Sequence, residues 1–318
     1  MSFETATRRK VIQLPALTRP TGGGTVQQQL PKTGLLAMLI LSISGSVAGT
    51  LSAPNALGMA SIVKRVRLTA NSGIDLINVS GAGYLYGVVE MLDLENSLVA
   101  AITSARAAVT ATTFNISMVF PIALNLRDAL GMVMLQNEQT LLTLSVDFEA
   151  DATVATGATV TATAQANLVV FTVPPKREDW PPLTLIHQIL EDQAAVSAAG
   201  QYIYTLPRGG IYLQLFHGLG IGVAGADGFD NYQFRVNQSE YLQSSNAGYL
   251  SLEHQMLHGR ARPGGGIYVD FMGSSGLGNY GSARDWLNTA LLTDVQSVIN
   301  ATGAGTLYTV RRQLVPMA

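Results

Sequence analysis

Four histidines, a few paired carboxylates and several glycine-rich turns are the residues of this chain whose types could do chemistry. His254 and His258 lie four apart, a spacing that would present two imidazoles to zinc from one helix face. No glutamate completes an HExxH pattern, and the region reads as a strand end and loop. His187 and His217 read as core or surface histidines. Asp227 and Asp230 in GADGFDN offer oxygens to calcium, but too few to fix a site, and Asp–Gly pairs are ordinary turn chemistry. Gly218-Leu219-Gly220-Ile221-Gly222 holds part of a dinucleotide fingerprint without the βαβ setting that gives it meaning. Asp147 and Glu149 share one face of a strand, where solvation is the default. No Gly-x-Ser-x-Gly elbow is present. Leu30-Pro31-Lys32-Thr33-Gly34 matches the sorting signal cut by sortases, yet sits near the N-terminus rather than before a C-terminal apolar tail. It returns as Leu206-Pro207-Arg208-Gly209-Gly210. Both are read as strand-entry turns, with Pro31 and Pro207 ending the incoming segment and Gly34 and Gly210 turning the chain. No catalytic constellation, metal site or cofactor site is predicted, and the chain is not expected to be an enzyme.

Two basic clusters remain, Arg8-Arg9-Lys10 and Arg311-Arg312. They are either solvated termini or contacts to acidic headgroups or packaged nucleic acid. The net charge of −2 gives no global drive toward nucleic acid, so no sequence-specific nucleic-acid partner is expected. Charged residues make up 13% of the chain, about half the ordinary share of a soluble domain, which suggests a surface consumed by other subunits or by a membrane. The chain has no cysteine, which excludes disulfides, thiol nucleophiles and zinc–thiolate sites and suits assembly in a reducing cytoplasm. No secretory signal is evident. The longest apolar run, Leu35 to Ala53, is broken by serines, glycines and a threonine, and reads as a strand and turn rather than a membrane span.

The elements that carry these residues are written twice. Beyond the LPxxG pair, SGAGYLYGVVEML at 80–92 returns as SNAGYLSLEHQML at 245–257, with Ser80, Ala82, Gly83, Tyr84, Leu85, Met91 and Leu92 all matched. LRDAL at 126–130 echoes in ARDWL at 283–287, and FTV at 171–173 in YTV at 308–310. The separation between copies shrinks along the chain, from 176 residues (30 to 206) to 137 (171 to 308), so the first copy carries the longer connections. Repetition once, at half the chain length, points to duplication of a whole domain.

Strand-like stretches rich in Val, Ile, Leu, Thr, Phe and Tyr fall at 34–44, 62–70, 74–79, 84–92, 114–124, 140–149 and 157–173, then near 201–205, 211–217, 231–236, 248–252, 267–272, 291–299 and 305–314. Leu94, Leu98, Ile102, Ala105 and Val109 suggest a helix over 94–110, with no counterpart in the second copy. Pro174, Pro175, Pro181 and Pro182 frame four consecutive charges and mark a stiff linker. After it, Leu185, Ile186, Ile189, Leu190, Ala194 and Val196 suggest a helix over 183–199. The expected organisation is an N-terminal arm at 1–28, a first β-sandwich at 29–175, linker and helix at 176–200, and a second sandwich at 201–318. Seven or eight short strands per copy, in two antiparallel sheets, make each an eight-stranded jelly roll with a few short helices, in an all-β chain.

The tandem echoes and the Pro-rich junction at 174–182 resemble, at the level of architecture, the double jelly-roll major coat proteins of icosahedral viruses. That lineage includes adenovirus hexon, tectiviruses, corticoviruses and finnlakeviruses; the compact length here suits its bacteriophage end. The resemblance implies a structural capsid protein in which three chains form a pseudo-hexameric homotrimer that tiles a virion shell. It implies self-association first, then penton, spike and minor capsid proteins as partners, with assembly in the host cytoplasm. In this family the inner side often meets a lipid membrane, which would suit Arg8, Arg9 and Lys10 as inner-surface contacts. The alternatives are a phage tail, spike or decoration protein and a carbohydrate-binding sandwich pair, for which Tyr241, Tyr249, Tyr268 and Tyr280 would be loop aromatics, or a hydrolase on a β scaffold.

Overall fold

The long β-prone runs do become the longest strands, and their pairing defines the molecule. A computed structural model describes residues 6–71, 73–94, 102–126, 129–137, 139–174, 176, 180, 183–221, 227–237, 240–272 and 286–316. In the first half the strands are β1 (Arg9–Gln13), β2 (Leu17–Thr18), β3 (Gly24–Gln29), β4 (Leu35–Ala48), β5 (Val63–Ala70), β6 (Ile74–Val79), β7 (Thr113–Pro121), β8 (Val133–Met134), β9 (Leu142–Phe148) and β10 (Thr159–Phe171). In the second half they are β11 (Leu185–Val196), β12 (Gly200–Thr205), β13 (Ile211–Leu219), β14 (Phe229–Val236), β15 (Glu240–Asn246), β16 (Gly266–Asp270), β17 (Leu287–Asn288), β18 (Val295–Ala301) and β19 (Gly305–Pro316).

One sheet runs β1-β10-β4-β7, with β2 on β10 and β8 on β4. It faces the run β6-β5-β9-β3 across an apolar core that includes Leu39, Leu41, Ile43, Val66, Leu68, Leu144, Val146 and Phe148. Alternation drives this packing: β9 buries Leu142, Leu144, Val146 and Phe148 and turns the residues between them outward. The second half repeats the plan with β11-β19-β13-β16 and β17 on one side and β12-β18-β14-β15 on the other. Two four-stranded sheets in this order form a jelly roll, and the chain contains two of them.

The copies agree in their irregularities as well as their order. β4 skips Ala37 against β10, and β13 skips Leu213 against β19. β5 skips Lys64 against β9, and β14 skips Asp230 against β18. β6 skips Leu76 against β5, and β15 skips Leu242 against β14. An extra residue in a ladder re-aims every side chain beyond it, so three bulges at matching places are strong marks of one ancestral unit. The spacing between copies falls from 176 at β4 and β13 (Leu35, Ile211) to 153 at β9 and β18 (Leu142, Val295). The FTV and YTV echo breaks this pattern: Phe171 stands opposite Leu35 at the start of β4, whereas Tyr308 stands opposite Gly218 near the end of β13. That echo is accidental.

Four sequence expectations need correction. Residues 84–92, expected as a strand, belong to one helical segment, α1, formed by Gly81–Gly83, a wide-turn stretch Tyr84–Val88 and Val89–Met91. Its counterpart 248–252 lies in helix α2 (Ala247–His258). The strongest echo in the chain is therefore a helix in both copies. Each has a side-chain cap: Ser80 Oγ accepts from Gly83 N, and the Asn246 side chain accepts from Tyr249 N. α1 is buried on every side, so it carries no polar stripe and reads like a buried strand. Conversely 183–199, expected as a helix, is strand β11. Much of β11 is covered on both faces, so its apolar residues do not alternate, and Leu185, Ile186, Ile189 and Leu190 imitate a helical stripe. Finally, the described part of the segment 1–28 is no loose arm. β1 and β2 pair with β10, and β3 with β9. Of the expected helix at 94–110, residues 102–106 are helical and 95–101 lie outside the described residues.

Candidate functional site

In a chain built from two like units, the seam between them is where side chains of one unit meet those of the other. Here the seam starts as backbone. β6, the edge strand of the first roll's run β6-β5-β9-β3, pairs in parallel with β11, the first strand of the second roll, placing Ile77 opposite Ile189 and Asn78 opposite Leu190. Two four-stranded sheets thereby become one sheet of eight strands in a row, with β17 added at β13. Parallel strands at such a joint are buried on both faces, and Ile77 and Ile189 are.

Side chains reinforce the joint. Gln188 Nε2 donates to Asp75 O at 2.8 Å. Glu191 on β11 accepts from both Ser80 N (2.7 Å) and Ser80 Oγ (2.8 Å), so the residue that caps α1 is held by the second roll. A Cβ on Gly83 would come within 2.0 Å of Glu191 Oε2, so a side chain there would push the carboxylate off its bonds to Ser80. Phe216 of β13 lies against α1 at Gly87, where a Cβ would meet its ring at 2.7 Å, and it packs on Tyr268 with ring centroids 5.1 Å apart. Tyr268 donates its hydroxyl proton to Tyr86 O at 2.6 Å.

At the far end of α1 an ionic cluster closes the seam. Glu90 is fully buried. It accepts from Arg106 at 3.0 Å on Oε1 and from Arg260 at 2.6 Å on Oε2, with His254 Nε2 3.4 Å from Oε2. Arg260 also donates to Asp93 at 2.6 Å, and His258 Nδ1 lies 3.6 Å from the same oxygen. Burial alone would lower the Arg260 pKa, but the bonds to Asp93 and the negative charge of Glu90 outweigh it and raise it. His258 moves the other way: burial first, then the neighbouring His254 and Arg260, hold its pKa below the usual imidazole value. The two imidazoles do sit on one helix, with rings 4.3 Å apart, as zinc ligands would. Among the described residues, though, no group of three or more His, Asp or Glu side chains is placed to hold a metal. The cluster joins the rolls electrostatically.

The other singled-out residues disperse. Arg8, Arg9 and Lys10 are exposed, the latter two on β1. Arg311 and Arg312, read as a terminal basic patch, are buried in β19, and Arg311 pairs with Asp192. Arg312 Nε donates to His187 Nε2 at 2.9 Å, and its Nη1 to Gln214 Oε1 at 2.9 Å. Burial holds the Arg312 pKa down to about 10 and that of His187 well below normal, the latter helped by the Arg312 charge. Asp227 accepts from Arg262 (2.7 Å) and from Gly265 N (2.8 Å), which ties a loop rather than frames a cation site. Gly34 turns the chain at φ +74°, and in the second copy the left-handed glycine is Gly209 (φ +98°), not Gly210. Pro31 and Pro207 precede these turns, and Tyr212 Oη donates to Pro207 O at 2.7 Å. Pro174 is buried and accepts from Trp180 Nε1 at 2.9 Å. Pro175, Pro181, Pro182 and Tyr280 lie outside the described residues, as does Gly222. Leu35 to Ala48 is a strand, and no helix among the described residues is long and apolar enough to cross a membrane.

His217 has one measurable consequence. It is fully buried, between Thr309 Oγ1 (2.9 Å) and Ser297 Oγ (2.7 Å), and burial pushes its pKa down to about 3. The unfolded chain takes up a proton near pH 6.5 that the folded chain refuses. The stability from keeping His217 neutral is therefore complete above pH 6.5 and falls as the pH drops toward 3, at about 1.4 kcal/mol per pH unit. The depressed His187 and His258 add to the same fall, so urea unfolding across pH 7 to 4 should give a steeper total slope, from which His217→Gln removes about 1.4 kcal/mol per pH unit; an unchanged slope in the variant would disprove the assignment.

The fold is that of the double jelly-roll proteins. The chain superimposes on the crystal structure of the STIV MCP with a TM-score of 0.73 at 14% identity, covering 97% of both chains. It matches PBCV-1 VP54, fitted into a reconstruction of the virophage Sputnik, at 0.67 and 10% identity over 98% of this chain and 95% of that one. It matches the major capsid protein P2 from Bacteriophage PM2 at 0.56 and 14% identity over 98% of both. No protein-family model and no curated protein matches the sequence.

Proposed function

We propose that this chain is the structural coat protein of an icosahedral virion, assembling as pseudo-hexameric homotrimers that tile the shell. The observation that carries the reading is the seam: two jelly rolls joined rigidly, side by side, through one continuous sheet. A hinged pair would serve a binding module, whereas wall material needs units at a fixed angle. The likeness along nearly the full length of capsid proteins such as that of Bacteriophage PM2 supports it. The low charge content fits a surface taken up by neighbouring copies. In this reading the chain is not an enzyme. Its partners are its own copies first, then penton, spike and minor capsid proteins. Arg8, Arg9 and Lys10 face the interior, where an anionic lipid surface would attract them.

Sedimentation of the purified protein tests the reading. A coat protein should run as a species of three times 33.6 kDa, and negative-stain images should show six-lobed particles. A monomer at every concentration tried would overturn it.

A further inference from the structure

The seam inside one chain is a template for the contact between chains. Each roll has one edge like β6 and one like β11. Inside the chain, β6 of the first roll meets β11 of the second. This leaves β15, the counterpart of β6, and β1, the counterpart of β11. Among the described residues, β15 pairs only with β14, and β1 only with β10. The bulges fix the correspondence residue by residue. Met38 follows the skipped Ala37 and stands opposite Val169, which stands opposite Val11. Gln214 follows the skipped Leu213 and stands opposite Arg312, which stands opposite Ile189. Val11 is therefore the counterpart of Ile189. Likewise Ile77 and Gln243 each follow a skipped leucine, Leu76 and Leu242.

Burial distinguishes the used edges from the unused ones. Ile189 is 1% exposed and Val11 60%; Leu76 is 1% exposed and Leu242 45%. The helices repeat the contrast. α1 is buried throughout beneath the second roll, while α2 exposes Tyr249, Leu252 and Met256. Apolar residues stand bare on one roll at the places where the other roll's equivalents are covered. An open strand edge flanked by bare apolar side chains is a template for another strand.

We propose that β15 of one molecule pairs in parallel with β1 of the next copy, with Gln243 opposite Val11 and Ser244 opposite Ile12, while the exposed face of α2 packs on that copy's β4 sheet. The contact is head-to-tail, and a contact of that kind closes into a ring when its rotation divides the circle, as the homotrimer of the coat reading requires. The inference rests on the coat-protein reading and adds to it which strands meet and in what register.

Because the native chain has no cysteine, Val11→Cys with Gln243→Cys creates a disulfide reporter without background, at a spacing that neighbouring strands satisfy. Val11 is exposed and Gln243 half-buried with one long bond to Glu253 (3.4 Å), and neither belongs to an apolar core, so the variant should fold as the parent does. Mild oxidation of the assembled double variant should give dimer and trimer bands on non-reducing gels, and each single variant should stay monomeric there. Assembled protein with no cross-link, or dimers from Val11→Cys alone (which would mean β1 pairs with itself), overturns the proposal and leaves the coat reading standing. A parent protein that never assembles overturns both.

Discussion

Glu90→Ala should lower the free energy of unfolding by about 3–5 kcal/mol, the cost of stripping a buried charge of its partner. Glu90 touches Arg106, Arg260 and His254 together, and its side chain has no exposed surface. Arg106 arrives from the first roll and also donates to Leu85 O at 2.6 Å; Arg260 arrives from the second. Without the carboxylate, Arg106 and Arg260 lose a counter-charge that they share, while Asp93 stays paired with Arg260. The isosteric Glu90→Gln preserves the volume and loses the charge, so it isolates the electrostatic part and should retain most of the loss. Urea unfolding followed by tyrosine and tryptophan emission measures both. A change below about 1 kcal/mol in Glu90→Ala would mean that the arginines find water instead and that the cluster does not hold the rolls together.

The duplication was legible because it left identical residues where the fold tolerates little else. The LPxxG turns sit at matched strand entries, and the AGYL of each helix follows a capping side chain. What that echo formed was not legible. Tyr84, Leu85, Val88 and Val89 are buried together, and a helix apolar all round lacks the polar face that gives away its period. β11 failed for the mirrored reason, since a strand covered on both faces loses alternation. Arg311 and Arg312 failed because charge was taken for exposure; only the partners His187, Gln214 and Asp192, from other strands, explain their burial. The seam itself was invisible to spacing. Glu90 and Arg260 lie 170 positions apart, and a lone buried glutamate in an apolar helix was the only hint. The single Glu90 in GYLYGVVEML, flanked by residues that all face inward, is the kind of misplaced charge that signals a partner elsewhere in the chain.

Phe216→Ala should cost about 3–5 kcal/mol, while Ile40→Ala, at the corresponding position of the first roll, should cost less than about 2 kcal/mol in the isolated chain. The two residues stand three places beyond the matched bulge residues Ala37 and Leu213, on β4 and β13. Phe216 is fully buried because α1 lies over it, and it belongs to the same apolar cluster as Tyr84, Val88 and Ile189. Ile40 is only half-buried, and among the described residues no helix covers that sheet face. Truncating Phe216 opens a cavity between the rolls that the continuous backbone of β6 and β11 prevents from collapsing. Because the rolls share that sheet, calorimetry should show the melting transition lowered as a unit rather than divided in two. In the oligomer the order should shift: if a neighbour's α2 covers Ile40 as α1 covers Phe216, Ile40→Ala should weaken assembly while barely changing the fold of the single chain. An Ile40→Ala protein that assembles as tightly as the parent would show that this sheet face meets no neighbour, and the likeness between the inner and outer seams would end at the strands.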